Sequence, residues 1–336
     1  MSSKANKVIF YEAFEEEQRA LKQEMPAQIE AVYFRETIQE TGHTDPPARV
    51  ICVRTQSVIP LKWAESLSGV LTRSTGYDHL EAYKSAVRKD IPCGHLPSYC
   101  SRAVAEHAIL MVMALWRKIP QQTVQVKTFS RDGLTGQECR GKNLVVVGVG
   151  RIGTEILNIA AALGINIKGV DIDPREQNVD YVSFAEGMGW ADAVVSAVPL
   201  TEETRGMFNF AVFQKMKPSV VFVNISRGEV APLPEVKGAL EENRIAGAAL
   251  DVYDNEERLG AALRGRREEG SPSVKMFRQL LKRTDVILTP HNAFNTREAV
   301  QRKARQSIAS LEQFFSTGHF VDPTGFLTGH ENDKRA

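Results

Sequence analysis

Short apolar, β-branched runs alternate along this chain with longer amphipathic stretches. A first strand is predicted over 7–14 (KVIFYEAF), followed by a helix reading EEEQRALKQEM with acids in its first turn, where the helix dipole favours them. Residues 29–34 and 50–54 are further short strands, with the polar run TGHTDPP at 41–47 as a loop between them, and Val70 and Leu71 belong to another. An apolar helix spans about 101–116, with Ala105, Ile109, Val112, Met113 and Trp116 at core spacing; His107 among them reads as a helix-surface or core histidine. The rhythm continues with strands over 145–147, 165–170, 193–198, 220–224, 247–250 and 286–289. Residues 257–275 (ERLGAALRGRREEGSPSVK) interrupt it as a polar, glycine-containing loop, and a long final helix is predicted over about 296–316. Strand and helix in strict alternation imply parallel sheets.

One stretch organises the rest. Val145, Val146 and Val147 suit a buried parallel strand, and Gly148, Gly150 and Gly153 follow in G-x-G-x-x-G spacing. The first glycine permits a tight turn, the second lets backbone approach a pyrophosphate, and the third lets the next helix pack on the strand. That helix, about 151–163, would turn its unpaired N-terminal amides to the phosphates. Gly164 stops it, a strand follows, and Asp171 stands 18 residues after Gly153. A carboxylate there accepts hydrogen bonds from both ribose hydroxyls and repels a 2′-phosphate, so NAD is favoured over NADP. A structural glycine turn is the alternative, and the strand, helix and acid around the motif favour the dinucleotide. Asp173, before Pro174, reads as a solvated turn residue.

Composition narrows the partners. The chain has 336 residues, enough for two domains with cores of their own, and 42 basic against 41 acidic residues leave a net charge of +1. Nothing here draws the chain to nucleic acid or an anionic membrane. No apolar run reaches membrane-span length, and the N-terminal MSSKANKVIFYEAFEEE lacks a signal-peptide core, so a cytoplasmic location is expected. Cys52, Cys93, Cys100 and Cys139 are scattered without ligand spacing and read as free thiols; no metal is expected.

Candidate chemistry sits where strands end. In RSTGYD, Ser74, Thr75 and Gly76 offer successive amides that could take a carboxylate, or form a simple turn. Arg227, Asp251, Glu256 and His291 follow successive later strands, the places where open α/β sheets bind ligands. Arg264, Arg266 and Arg267 could hold an anion, but Glu268 and Glu269 beside them favour a solvated loop. Taken singly, Arg227 reads as a surface arginine, Glu256 as a solvated acid and His291 as a loop residue. Their joint order at successive strand ends favours catalysis.

The ordered set of the glycine turn, FNFAVFQKMKPSVVFVNISRGEV, LDVYDNE and TPHNAF resembles the D-2-hydroxyacid dehydrogenase family over nearly the whole chain. The resemblance implies an α/β fold of two Rossmann-like or flavodoxin-like parallel-sheet domains. A discontinuous substrate domain, 1–105 and 297–336, would accompany an NAD-binding Rossmann domain, 106–296. It implies that Arg227 holds the carboxylate and polarises the carbonyl, that His291 gives and takes the proton, and that Glu256 orients and charges His291. The Ser74, Thr75 and Gly76 amides would take the carboxylate's other oxygen, and Tyr99 would line the substrate pocket. The cofactor would lie on Gly148, Gly150, Arg151, Ile152, Gly153 and Asp171, and on Val198, Pro199, Ile225 and Asp251. A homodimer through the nucleotide domain is implied in the same way.

Departures point to a subgroup. His291-Asn292-Ala293-Phe294 stands where many members have His-x-Gly-Gly and, with the insertion after Glu256, resembles the D-lactate dehydrogenase branch. Ala197 stands where many members have histidine, and the chain ends at Ala336 without the extension of the allosteric phosphoglycerate dehydrogenases. The expected function is NAD-dependent interconversion of a 2-oxoacid and a D-2-hydroxyacid, with pyruvate and lactate first among substrates and larger or aromatic 2-oxoacids next. The alternative is an NAD(H)-sensing corepressor or scaffold, since the C-terminal-binding corepressors share this fold and similar catalytic residues.

Overall fold

The computed structural model describes residues 6–265 and 271–321. The chain divides into two compact units, one of the residues up to Cys100 with those from Asn295 onward, the other Ser101–Phe294.

The first unit is built on five parallel strands, β1 (Asn6–Phe10), β2 (Ile29–Tyr33), β3 (Val50–Val53), β4 (Gly69–Thr72) and β5 (Cys93–Gly94), in the order β2-β1-β3-β4-β5. β3 and β4 are buried at every position, which is why their sequences VICV and GVLT are apolar without alternation. The first strand is shorter than predicted. It ends at Phe10 because the chain turns at Glu12, whose φ is +54°. Glu12 is buried there by purpose-built partners, its carboxylate accepting the amides of Arg54, Gln56 and Ser57. The final helix, Arg297–Thr317, is capped by Thr296, whose side chain accepts from the Ala299 amide, and it closes at Gly318 in the left-handed region. It returns to this same sheet: a Cβ at Gly69 would lie 2.6 Å from the Phe314 ring and one at Gly94 2.5 Å from Phe320. Both glycines are therefore room for aromatic rings.

The second unit carries six parallel strands, β6 (Asn143–Val147), β7 (Asn166–Val170), β8 (Ala193–Ser196), β9 (Val221–Asn224), β10 (Gly247–Leu250) and β11 (Val286–Leu288), in the order β11-β10-β9-β8-β6-β7. The chain runs outward one way from β6 to β7 and then the other way from β8, so β6 is the topological switch point. One face is filled by Phe208, Phe213 and Phe222, whose ring centroids lie 4.8–6.4 Å apart.

Two helices occupy much of the stretch expected as a polar loop. Glu256–Leu263 buries Leu259 and Ala262, and Pro272–Leu280 buries Val274, Phe277 and Leu280, three residues apart in each case. Ser271 accepts from the Val274 amide as N-cap, with proline in the first turn. The charge run between them hides this periodicity, and its Arg266, Arg267, Glu268 and Glu269 lie outside the described residues. Among the described residues no helix is long and apolar enough to cross a membrane.

Candidate active site

The glycine turn leaves β6 and enters the Arg151–Ala162 helix. Gly148 has φ +95°, and a Cβ on it would meet the Ala197 carbonyl and Val198 amide within 2.8 Å. A Cβ on Gly153 would lie 2.0 Å from the Gly148 oxygen, so neither position admits a side chain. Gly150 differs. A Cβ there meets nothing within 4 Å, and as N-cap it leaves the helix without a side-chain cap. Open space in front of uncapped first-turn amides suits a pyrophosphate. Asp171 closes the turn from β7, accepting the Val149 amide at 2.6 Å and the Asp173 amide at 2.9 Å. Val198 and Pro199 follow β8, and Ile225, which follows β9, is 8% exposed.

Arg227 stands in a turn wired by its own neighbours. Asn224 accepts from the Ser226 amide and hydroxyl at 3.1 and 2.7 Å and donates to the Arg227 carbonyl at 2.9 Å. Ser196 reaches Ser226 at 3.0 Å. Gly228 brings this turn against the next: a Cβ on it would fall 1.7 Å from the Tyr253 carbonyl carbon. The half-buried Arg227 side chain donates from Nη1 to the Ser226 carbonyl at 2.9 Å.

His291 and Glu256 meet directly. His291 Nδ1 lies 2.8 and 2.9 Å from the two Glu256 carboxylate oxygens, with both side chains about four-fifths buried. A carboxylate accepts, so Nδ1 carries the proton and Nε2 is the nitrogen left for chemistry. His291 has φ +51°, an uncommon conformation for a residue with a Cβ. Asp251, 1% exposed, holds it there by accepting the Asn292 amide at 2.8 Å, the Ala293 amide at 3.0 Å and the Thr289 hydroxyl at 2.5 Å. The Tyr253 hydroxyl donates to the Thr289 carbonyl at 2.7 Å, and His107 Nε2 lies 3.3 Å from the Thr289 hydroxyl. Sequence reading passed over Thr289, Tyr253 and the site-facing position of His107. A strand-end Thr-Pro-His after an Asp-Val-Tyr was the available signal.

In the first unit, Ser74, Thr75 and Gly76 follow β4. Ser74 bridges the Thr72 hydroxyl at 2.7 Å and the Gly76 carbonyl at 2.8 Å, and His95 Nδ1 donates to the Thr75 carbonyl at 3.1 Å. Among the described residues the amides of Ser74, Thr75 and Gly76 donate to no protein acceptor. Three unengaged amides in a row form a nest for an anion. Tyr99, 3% exposed, has its hydroxyl ionisation pushed far up by burial and by Cys100, so it remains neutral.

Residues 109–293 match the family model described as D-isomer specific 2-hydroxyacid dehydrogenase, NAD binding domain. The chain belongs to that family. It is an NAD-dependent dehydrogenase of D-2-hydroxyacids, and the open Gly150 cradle and Asp171 fit the dinucleotide that this domain binds. The enzyme is 32% identical to the D-lactate dehydrogenase of Escherichia coli over 73% of this chain and 76% of that one. It is also 32% identical to the D-3-phosphoglycerate dehydrogenase of Archaeoglobus fulgidus, covering 76% of this chain and 47% of that longer protein. Among solved structures it is similar to the Aquifex aeolicus D-lactate dehydrogenase complexed with NAD and lactic acid. The TM-score is 0.81 at 26% identity, with 94% of this chain and 100% of that one covered.

Proposed function

We propose that this dehydrogenase reduces a small 2-oxoacid, pyruvate first, to the D-2-hydroxyacid. The observation that carries the reading is the His291–Glu256 pair, whose bonded Nδ1 turns Nε2 toward chemistry. When bound, the nicotinamide supplies the hydride or takes it back. Arg227 holds the substrate carboxylate with its planar fork and polarises the carbonyl. His291 donates its Nε2 proton to the carbonyl oxygen as negative charge grows there, and Glu256 stabilises the imidazolium before the transfer. In oxidation the same atoms run in reverse. The Ser74–Gly76 amides take a carboxylate oxygen, Tyr99 borders the substrate side chain, and Asp171, Ile225, Val198, Pro199 and Asp251 border the cofactor. The small Ser74–Gly76 loop residues and the similarity to D-lactate dehydrogenases support pyruvate.

The test is a panel of 2-oxoacids followed by NADH oxidation, with chiral analysis of the product. Fast turnover of pyruvate to D-lactate is expected. Saturable peptide binding without turnover of any 2-oxoacid would instead mark a nucleotide-sensing scaffold.

The proposal extends to a homodimer formed by the second unit. Leu110, Ile119, Val124, Val126 and Phe129 each expose 45–78% of their surface there, apolar area that a second copy would cover. Phe129→Asp should yield monomers by sedimentation; an unchanged species would remove this face. A cytoplasmic location belongs to the same reading, resting on four free thiols, three of them buried.

A further inference from the structure

The reaction leaves unused a buried ion cluster in the unit that carries the Ser74–Gly76 loop. Glu17 on the first helix, Arg73 after β4 and Lys303 on the final helix have side chains with no solvent exposure. Glu17 Oε1 lies 2.9 Å from Arg73 Nε and 2.7 Å from Lys303 Nζ. Arg73 Nη2 also donates to the Tyr11 carbonyl at 2.8 Å. Lys303 Nζ sits 5.6 Å from the Phe14 ring centroid and 5.7 Å from that of Tyr99. Burying an ammonium costs several kcal/mol before pairing, and methionine would fill the same space without that cost. Packing therefore does not account for a lysine here.

The cluster reaches the loop by two routes. Arg73 is the residue before Ser74, and its amide donates to the Val53 carbonyl at 2.8 Å. On the other side Arg302 Nε donates to the Tyr99 carbonyl at 2.9 Å, and Cys100 Sγ lies 3.5 Å from the Thr75 hydroxyl. One carboxylate thus serves two cations. Burial acts to raise Glu17, but the charges of Arg73 and Lys303 outweigh it and hold Glu17 well below the usual carboxylate range. Lys303 has the poorer share. Burial lowers it and Arg54 and Arg73 repel it, with Glu17 as its support, so it comes down to about 7.

The other groups around it are accounted for. Arg54 follows β3, and the Glu12 carboxylate is taken by three amides. Burial pushes the Cys52 and Cys100 thiols and the Tyr99 hydroxyl up, so they stay neutral. Arg302 acts on Cys100, and the loop itself is backed by His79 and His95.

We propose that Lys303 is a positioning residue for substrate, and that its proton sets how strongly the Ser74–Gly76 loop holds a carboxylate. With the proton, two cations face one carboxylate behind an anion-accepting nest, and the cluster favours an anion there. Without it the charges cancel and the loop loses that support. This inference rests on the dehydrogenase reading of the loop.

The test separates Lys303 from the catalytic histidine by using His291→Asn enzyme saturated with NADH. Oxamate, an unreactive carboxylate of 2-oxoacid shape, is titrated by nucleotide fluorescence between about pH 6 and about pH 8.5. Its Kd should weaken by about tenfold, equivalent to about 1.4 kcal/mol, as the proton leaves. Adding Lys303→Met should make binding weak and flat across that range, while Lys303→Arg should make it tight and flat. With His291 intact, Lys303→Met should raise the KM for pyruvate about tenfold and change kcat by less than about twofold. Should Lys303→Arg fail to fold, the first titration and Lys303→Met decide. Flat binding in His291→Asn, or an unaltered profile after Lys303→Met, overturns the proposal while wild-type turnover leaves the dehydrogenase reading standing. Absence of turnover with every 2-oxoacid overturns that reading and this inference together.

Discussion

His291 presents Nδ1 to both oxygens of Glu256, at 2.8 and 2.9 Å, from a backbone held at φ +51°. A ring so fixed has one tautomer and one orientation, and the carboxylate steadies its charged form. Glu256→Gln keeps the shape and removes the charge. We expect kcat to fall by about ten- to hundredfold, within the usual worth of a general acid, with little change in NADH affinity. Steady-state kinetics in both directions check it, and a variant within about twofold of wild type would break the pairing of roles.

Arg227→Lys retains a positive charge and loses the fork. A planar carboxylate then has a point charge in place of two parallel hydrogen bonds, so kcat/KM for pyruvate should drop by about a hundredfold or more. The Asn224 bonds that hold the turn survive this substitution and the Arg227 Nη1 bond to the Ser226 carbonyl is lost, so melting temperature should change only slightly. Near-normal kcat/KM would take Arg227 out of the substrate site.

Asp171 has two tasks that one substitution separates. Its Oδ2 takes the Val149 amide at 2.6 Å, which braces the glycine turn, and in the proposed reading the same carboxylate would repel a 2′-phosphate. Asp171→Asn keeps an acceptor for Val149 and removes the charge. The preference for NADH over NADPH should narrow by about tenfold, or about 1.4 kcal/mol, without loss of fold. A wild-type enzyme that already prefers NADPH would refute the assignment.

Much of this was readable from residue order alone, and what was not has physical causes. The parallel strands were legible because β3, β6 and β8 are buried on both faces and so run apolar without a break. The NAD fold was legible because Gly148 and Gly153 answer backbone contacts that no other residue survives. The helices at 256–263 and 272–280 were missed because each is short and buries only two or three apolar residues, on either side of a charge run. Asp251 was placed beside the cofactor from its motif, yet its hydrogen bonds to Asn292, Ala293 and Thr289 depend on a chain separation that no local pattern encodes. The same holds for Lys303, which stands on the final helix as REAVQRKARQ and looks solvated until the helix is laid on the sheet.

Gly228 tests the close approach of two site turns. An added Cβ would lie 1.7 Å from the Tyr253 carbonyl carbon and 1.9 Å from the Asp254 amide nitrogen, and backbone cannot swing aside as a side chain can. Gly228→Ala should therefore cost about 3 kcal/mol or more, or displace the Tyr253–Glu256 segment and abolish turnover. Thermal unfolding and activity, measured together, distinguish these outcomes; a stable and active variant would show that the turns are farther apart than described.

The acid limb of stability follows from Glu17. Its ordinary value is 4.5, and in the folded chain Arg73 and Lys303 hold it well below that, against the opposing effect of burial. The unfolded chain consequently takes up this proton first as pH falls. Stability from Glu17 is fully present above about pH 4.5 and drains away as pH drops toward the folded value, because protonating the carboxyl leaves two buried cations facing each other. Glu17→Gln leaves Arg73 buried without its carboxylate at every pH, and deprives Lys303 of the carboxylate that supports its charge. At neutral pH it should cost about 3–5 kcal/mol, the usual result of removing one partner from a buried pair. Below about pH 4.5 the gap between variant and wild type should narrow progressively, since the unfolded chain takes up the proton while folded Glu17 keeps its charge down to about pH 2. Lys303→Met added to Glu17→Gln should recover part of the loss on the acid side, where Lys303 otherwise takes up its proton beside Arg73. Urea unfolding from about pH 3 to about pH 7 gives the comparison, and a gap that stays constant across that range would mean that Glu17 acts through packing and not through its charge.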